Sequence, residues 1–196
     1  RSTNPVVVGD EVACEADEGG DYVIADILPR RNYVIRRASN LSKESHIIAA
    51  NVDQALLMAS LRSPETPTEF VDRFLVTCEA YKVPVTILLS KLDLQDAEAV
   101  AEFRAVYEGA GYRVLEVSVR EGRGVEEVRE LLAGRTTLVS GNSGVGKSTL
   151  IQAINPSLDI RTGEISDSHH KGRHTTTFST MYPLAEGGAV IDTPGI

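Results

Sequence analysis

Hydrophobic positions along the chain follow two regimes that change near residue 50. Before it, residues 6–8, 11–14, 21–28 and 32–36 are short runs rich in Val, Ile and Tyr. Gly9-Asp10, Glu18-Gly19-Gly20 and Pro29-Arg30-Arg31 separate them. Short β-branched runs bounded by such residues predict strands joined by tight turns, hence a small antiparallel sheet or barrel. Four short strands make a thin core, so one or more further strands are expected upstream of Arg1. Residues 38–50 read as a linker.

From Asn51 the pattern alternates between buried strands and helices. Residues 54–59 and 83–89 are continuous apolar runs, as expected of strands covered on both faces. Between them, Phe70, Val71, Phe74, Leu75 and Cys78 recur at helical spacing, with Thr68 the expected N-cap and Glu69 in the first turn. A helix over 97–108, a strand over 112–117 and a helix over 125–132 come next. A strand over 136–140 leads into a Gly-rich loop and a helix over 149–154, which Asn155-Pro156 ends. Residues 159–176 are polar and aperiodic, and strands over 178–184 and 188–192 flank a Glu186-Gly187-Gly188 turn. Repeated βα units of this kind predict an α/β fold with a mostly parallel, doubly wound sheet and ligands at the carboxyl ends of its strands.

The chemistry centres on Gly141-Asn142-Ser143-Gly144-Val145-Gly146-Lys147-Ser148. It matches G-x-x-x-x-G-K-[ST] between a strand and a helix, the setting of a phosphate-binding loop. Gly141, Gly144 and Gly146 let backbone N–H groups close on phosphate oxygens. The helix beyond, opened by Thr149, adds its N-terminal N–H groups and dipole. Lys147 supplies a charge for the outer phosphates and Ser148 a hydroxyl for magnesium. A Gly-rich turn that merely precedes a Lys is the bland alternative, and the strand–loop–helix setting argues against it. The expected ligand is a nucleoside triphosphate.

Further motifs stand at strand ends. Ser90-Lys91-Leu92-Asp93 comes directly after an apolar strand, where the Asp93 carboxylate can accept N1–H and the exocyclic amine of guanine, an edge adenine does not offer. The Lys91 stem can cover the base face. Ser118 comes after the strand over 112–117, and its backbone N–H is expected to meet the guanine carbonyl. Asp192-Thr193-Pro194-Gly195 ends the last strand: Asp192 can reach magnesium through water, and the Gly195 N–H can bond the γ-phosphate and register its loss. Between phosphate loop and D-x-P-G, Gly172-Arg173-His174-Thr175-Thr176-Thr177 offers threonine hydroxyls for magnesium; Thr176 is the first choice, with Thr175 and Thr177 open. His169, His170 and His174 lack a fourth ligand and read as a polar loop rather than a metal cluster.

Composition narrows the partners. Of 196 residues, 42% are hydrophobic and 24% charged, and no run approaches the roughly 18 apolar residues of a membrane span. Cys14 and Cys78 are the two cysteines, without metal-type spacing, and are expected to be free thiols in a reducing compartment. A net charge of −8 argues against nucleic-acid affinity over the whole surface. Arg30, Arg31, Arg36, Arg37 and Lys43 nevertheless make one segment locally basic, either an RNA-facing patch or a solvated face.

A base-specificity motif first, a phosphate loop second and D-x-P-G last is a circularly permuted GTPase order. With the small β region in front and the run Asn51-Val52-Asp53-Gln54, the chain resembles the RsgA (YjeQ) family of bacterial ribosome-assembly GTPases. The resemblance covers essentially all residues and is strongest over 141–149, 172–176 and 192–195. It implies an OB-fold over residues 1–50 including the linker, with its opening strand or strands missing, and the permuted GTPase over residues 51–196. It also implies a zinc-binding domain beyond Ile196. Cofactors would be GTP or GDP and Mg2+, with zinc confined to that last domain. Partners would be the small (30S) ribosomal subunit and its rRNA, for a monomeric cytoplasmic protein with no membrane association. The family's N-K-x-D carries Ser90 in place of Asn, and a hydroxyl replaces only part of that amide's bonding to base and phosphate loop.

For hydrolysis, Lys147 and magnesium would neutralise the β/γ-phosphate charge while a positioned water attacks in line. Ile196 stands where many GTPases place a water-orienting Gln after D-x-x-G, so a slow intrinsic rate is expected. The resemblance makes His174 the candidate replacement. The expected catalytic set is thus Lys147, His174, Thr176 and Gly195, with Ser148, Thr176 and Asp192 at the metal. The nucleotide would lie on Ser90, Lys91, Asp93, Ser118 and residues 141–149. Two other classes stay open: a P-loop ATPase or nucleoside kinase, and an RNA-binding module whose nucleotide site only stabilises the fold. The D-x-P-G loop would pass nucleotide state to the chain beyond Ile196.

Overall fold

The computed structural model describes residues 6–37, 45–156 and 179–193. Strands β1 (Val12–Ala16) and β2 (Tyr22–Ile27) pair antiparallel with a bulge at Ala13/Cys14, and β3 (Tyr33–Arg37) pairs with β4 (Ser45–Ala50). Among the described residues these are two separate ladders rather than one closed barrel.

Two expectations are corrected here. Val6, Val7 and Val8 form no strand: the Asp10 carboxylate accepts the Val7 N–H and Gly9 takes φ +91°, which turns the chain. A Cβ at Gly9 would lie 2.0 Å from the Ala50 carbonyl oxygen, so only glycine fits. The linker assigned to 38–50 ends in β4. Ile47 and Ile48 favour a strand but make only a two-residue run between Ser45-His46 and Ala49-Ala50, and pairing with β3 decides the outcome; residues 38–44 lie outside those described. Val34 and Ala49 are fully buried and join the same hydrophobic cluster as Ala55, Leu57 and Phe74, so β3 and β4 share a core with the α/β region.

The remaining strands are β5 (Gln54–Ala59), β6 (Val85–Leu89), β7 (Arg113–Glu116), β8 (Thr136–Gly141), β9 (Thr180–Pro183) and β10 (Ala189–Asp192). They form one sheet in the order β7-β6-β5-β8-β10-β9, parallel except for β9. Every residue of β5 is buried, with Ala55, Leu57 and Ala59 on one face and Leu56 and Met58 on the other. Helices α1 (Thr68–Ala80) and α2 (Ala97–Gly109) cover the first face; α3 (Val125–Leu132) and α4 (Lys147–Ile154) cover the second. This is the doubly wound architecture, and it aligns the carboxyl ends of five parallel strands along one edge.

Local details trace to the residues. Helix α1 packs Val71, Phe74, Leu75 and Cys78 inward as its spacing predicts, but Pro67 rather than Thr68 holds the N-cap position and no side chain caps it. Burial pushes the Cys78 thiol up to about 12, so it is an inert packing group; Cys78 and the exposed Cys14 are both free. Asp96 caps α2 by accepting the N–H groups of Glu98 and Ala99.

The run from Asn51 to Gln54 is a structural seam. Asn51 donates to the Gly9 carbonyl and accepts the Arg31 N–H, while Asp53 exchanges two 2.8 Å hydrogen bonds with Thr136. The Gln54 amide reaches Leu131 O and Thr137 Oγ1. The basic segment is partly neutralised here: Arg30 forms a bidentate pair with the buried Asp10, and Arg31 pairs with Asp53.

Candidate functional site

The site lies where β5, β6, β7, β8 and β10 end. The phosphate loop leaves β8 at Gly141, whose φ is +154° and whose Cβ would meet Met58 O at 2.6 Å. Gly144 and Gly146 also adopt positive φ, and Gly146 hands the chain to α4, which starts at Lys147, one half-turn earlier than the apolar pattern suggested. Among the described residues, the backbone N–H groups of Asn142, Ser143, Gly144 and Gly146 have no acceptor. Such a concave row of donors at a helix N-terminus is an anion cradle. Val145 is fully buried beneath it.

Lys147 is buried, with its ammonium donating to Gly141 O at 2.5 Å and Asn142 O at 3.3 Å. Burial lowers its pKa, and the nearby Asp192 carboxylate works the other way. Asp192, at the end of β10, is also buried, and burial raises its carboxyl to about 6 against the opposing pull of Lys147. Its Oδ1 is a buried acceptor without a donor. The Ser148 hydroxyl is likewise unpartnered among the described residues. A buried carboxylate oxygen without a donor, and a free hydroxyl in the first turn of the helix that follows the anion cradle, are oxygen ligands of the kind a hard cation such as Mg2+ takes.

On the other side of the phosphate loop, Ser90 comes after β6 and is buried. Its hydroxyl lies 3.0 Å from Ala59 O and 2.9 Å from Val145 O, so one proton is shared between the end of β5 and the phosphate loop. Lys91 adopts the left-handed conformation at φ 53° and donates to the Ser63 carbonyl. Asp93 lies in a single 3-10 turn, Leu92–Leu94, and its Oδ1 accepts the Ser118 hydroxyl at 2.9 Å. Its Oδ2 lies 3.8 Å from the Arg120 guanidinium.

Ser118 therefore acts differently from expectation. Its backbone N–H donates to Arg123 O, so it is already committed, and the side chain instead orients Asp93. The neighbouring N–H groups of Val119 and Arg120 have no acceptor among the described residues. No sequence signal marks these two positions, because any residue supplies a backbone amide. Thr149 stands next to Ser148 in the first turn of α4. His174, Thr175, Thr176, Thr177 and Gly195 lie outside the described residues.

A row of unengaged loop amides, a buried lysine near a buried aspartate and a carboxylate held by Ser118 at the end of β6, carried on a sheet in this chain order, define a circularly permuted P-loop protein. The RsgA GTPase family model matches residues 27–196. The chain is 52% identical over 199 residues to the small ribosomal subunit biogenesis GTPase RsgA of Bacteroides fragilis strain YCH46, covering all of this chain and 64% of that one. It is likewise 52% identical over 204 residues to the RsgA of Porphyromonas gingivalis strain W83, covering 65% of it. Among solved structures, YjeQ from Thermotoga maritima aligns with a TM-score of 0.73 at 34% identity, over 98% of this chain and 62% of that one. YloQ, described as a circularly permuted GTPase, aligns at 0.64 and 25% identity, over all of this chain and 59% of that one. The chain belongs to the RsgA GTPase family, and it spans a little under two thirds of the length of these relatives.

Proposed function

We propose that this chain carries the machinery of a GTPase that hydrolyses GTP to GDP and phosphate during late maturation of the small (30S) ribosomal subunit, its nucleotide state controlling association with that subunit. The observation that carries the chemistry is the meeting of the unengaged loop amides with the donor-free Asp192 oxygen on one side and the Asp93–Ser118 pair on the other. The ribosomal role is supported by family membership and by the relatives' description as small ribosomal subunit biogenesis GTPases.

In this reading Asp93, held by Ser118, accepts N1–H and the exocyclic amine of guanine, and the Val119 or Arg120 N–H takes the base carbonyl. Adenine presents neither pattern, which favours GTP over ATP and stands against a general ATPase or kinase. The Lys91 stem lies along the base. The amides of residues 141–149 hold the phosphates, and Lys147 neutralises charge on the outer ones. Ser148, Thr176 and, through water, Asp192 would hold magnesium, which when bound neutralises phosphate oxygens. Gly195 senses the γ-phosphate and His174 orients the attacking water.

Residues 1–50 form the OB-type β region and residues 51–196 the permuted GTPase. The same reading puts a zinc-binding domain beyond Ile196, with any zinc confined to it. The protein acts as a cytoplasmic monomer on rRNA-containing subunits; among the described residues no helix is long and apolar enough to cross a membrane.

Turnover of GTP and ATP by the full-length protein, with and without purified small subunits, tests the proposal. Slow GTP-selective hydrolysis raised steeply by subunits is expected. Equal use of ATP would revive the kinase or ATPase reading, and absence of stimulation would overturn the ribosomal one.

A further inference from the structure

Gln95 stands two residues beyond Asp93, just before the Asp96 cap of α2. Its Nε2 lies 3.0 Å from Ser60 Oγ, 3.2 Å from Ser90 O and 3.1 Å from Lys91 O. Two of these partners are carbonyls, which only accept, so the nitrogen must face them and the orientation of the amide is set. The opposite atom, Oε1, is buried without a partner. Gln95 is therefore anchored solely as a donor. Ser60 is fully buried at the end of β5, where its hydroxyl donates to Arg62 O at 2.5 Å. One carboxamide thus joins the ends of β5 and β6 to the turn that presents Asp93.

That turn needs holding. Lys91 is a non-glycine residue in the left-handed region, a conformation that persists only where its surroundings over-determine it. Ser90 contributes one proton divided between two carbonyls. The two N–H groups of Gln95 are shared among Ser60 Oγ and the carbonyls of Ser90 and Lys91. A carboxamide at position 90 would itself carry the second N–H that serine lacks.

We propose that Gln95 is a positioning residue for base recognition, its amide fixing the Ser90–Lys91 backbone and thereby aiming Asp93 at the guanine edge. This rests on the reading of the site as a guanine-nucleotide site. Gln95 touches no reacting atom, so it tunes affinity and base preference rather than chemistry. The amide-to-carboxylate change is the sharpest probe, because it turns a donor into an acceptor opposite two carbonyl oxygens.

The test is titration of fluorescent GDP and ADP, with Mg2+, into the wild-type chain, Gln95→Ala, Gln95→Glu and the double variant Ser90→Asn/Gln95→Ala, alongside thermal melts. Gln95→Ala should weaken GDP about tenfold and Gln95→Glu about a hundredfold. The GDP-over-ADP preference should fall by the same factors, with melting midpoints moving by less than about 4 °C. Asn at position 90 should recover most of the GDP affinity lost in Gln95→Ala. Unchanged GDP binding in both single variants, with wild-type preference intact, would overturn the role of Gln95 alone. Parallel loss of GDP and ADP affinity with a collapsed melting midpoint would reduce it to a structural prop and overturn the proposal too. A wild-type chain that binds ADP as well as GDP would overturn the guanine reading and this proposal with it.

Discussion

Asp192 sets stability against function, and Asp192→Asn separates the two. Burial raises its carboxyl from the ordinary 3.8 to about 6, a difference of about 3 kcal/mol in charging free energy at neutral pH. The folded value lies above the unfolded one, so the group's contribution to folding is fully present below about pH 4 and is lost as pH rises through about 6. Asparagine keeps the shape and removes the charge. Lys147 then loses the carboxylate that opposes its own burial, which offsets part of the gain. The nucleotide-free variant should be more stable than wild type by about 1–2 kcal/mol at pH 7.5, or about 4 °C in a chain of this size. The difference should shrink towards zero near pH 4.5.

Mg·GTP should reverse the ranking. Binding stabilises wild type by about 2.7 kcal/mol at a hundredfold excess over Kd, and the variant should gain little because its metal-side carboxylate is gone. Thermal melts of both chains from pH 4.5 to 8, with and without Mg2+ and a non-hydrolysable GTP analogue, read both effects. A variant less stable than wild type at pH 7.5 without nucleotide, or a pH-independent difference, would refute the charging argument.

Asp93→Asn should lower GTP affinity about a hundredfold, as expected when a hydrogen-bonding recognition partner is removed, and leave ATP affinity little changed; equilibrium binding of the two nucleotides checks it. Gly141→Ala places a Cβ 2.6 Å from Met58 O and 3.0 Å from Val145 Cγ1, so it should destabilise the chain by about 1–3 kcal/mol and abolish nucleotide protection in melts. Arg30→Ala leaves the fully buried Asp10 side chain without its 2.6 Å partner and should cost about 3–5 kcal/mol. Arg30 also holds the Asp10 carboxyl below its ordinary range. That contribution is present above about pH 4 and is lost on acidification through the lowered value, so the variant should show a weaker acid transition in denaturant melts.

The second half of the fold was legible because its signals are local. Buried parallel strands read as unbroken apolar runs, as in β5, and α1 repeats its inward residues at helical spacing. The phosphate loop was legible for the same reason, since one contiguous motif contains its glycines, lysine and serine. What escaped depends on pairing. Strand β4 draws its order from β3, and its Ser45, His46 and Ala49 carry little strand preference of their own. Val6 to Val8 read as a strand, yet Asp10 and Gly9 turn them. Arg30 reads from the sequence as part of a basic segment, RNA-facing or solvated, whereas its partner Asp10 stands twenty residues earlier. The roles proposed for Gln95 and the Val119 amide rest on position, and no residue type announces position.

Permutation changes which of these couplings the chain makes directly. Parallel ladders bring the ends of β6, β5, β8 and β10 to one edge whatever the order of the motifs in sequence. The base turn and the phosphate loop are nevertheless 55 residues apart where Ser90 donates to Val145 O. No backbone segment links them without passing through β7 and α3. Among the described residues, lateral hydrogen bonds tie the base turn to its neighbours: Ser90 to Val145, Lys91 to Ser63, and Gln95 to Ser60. Each such bond contributes on the order of 1 kcal/mol, comparable with a typical coupling between linked sites. The loop from Ser60 to Pro67 stands between them, since Ser63 accepts Lys91 while Pro64 lies 3.5 Å from the position of a Cβ on Gly144. That loop thus touches both the base turn and the phosphate loop, and the Ser90 hydroxyl is the one side chain of the three that bonds the phosphate loop directly.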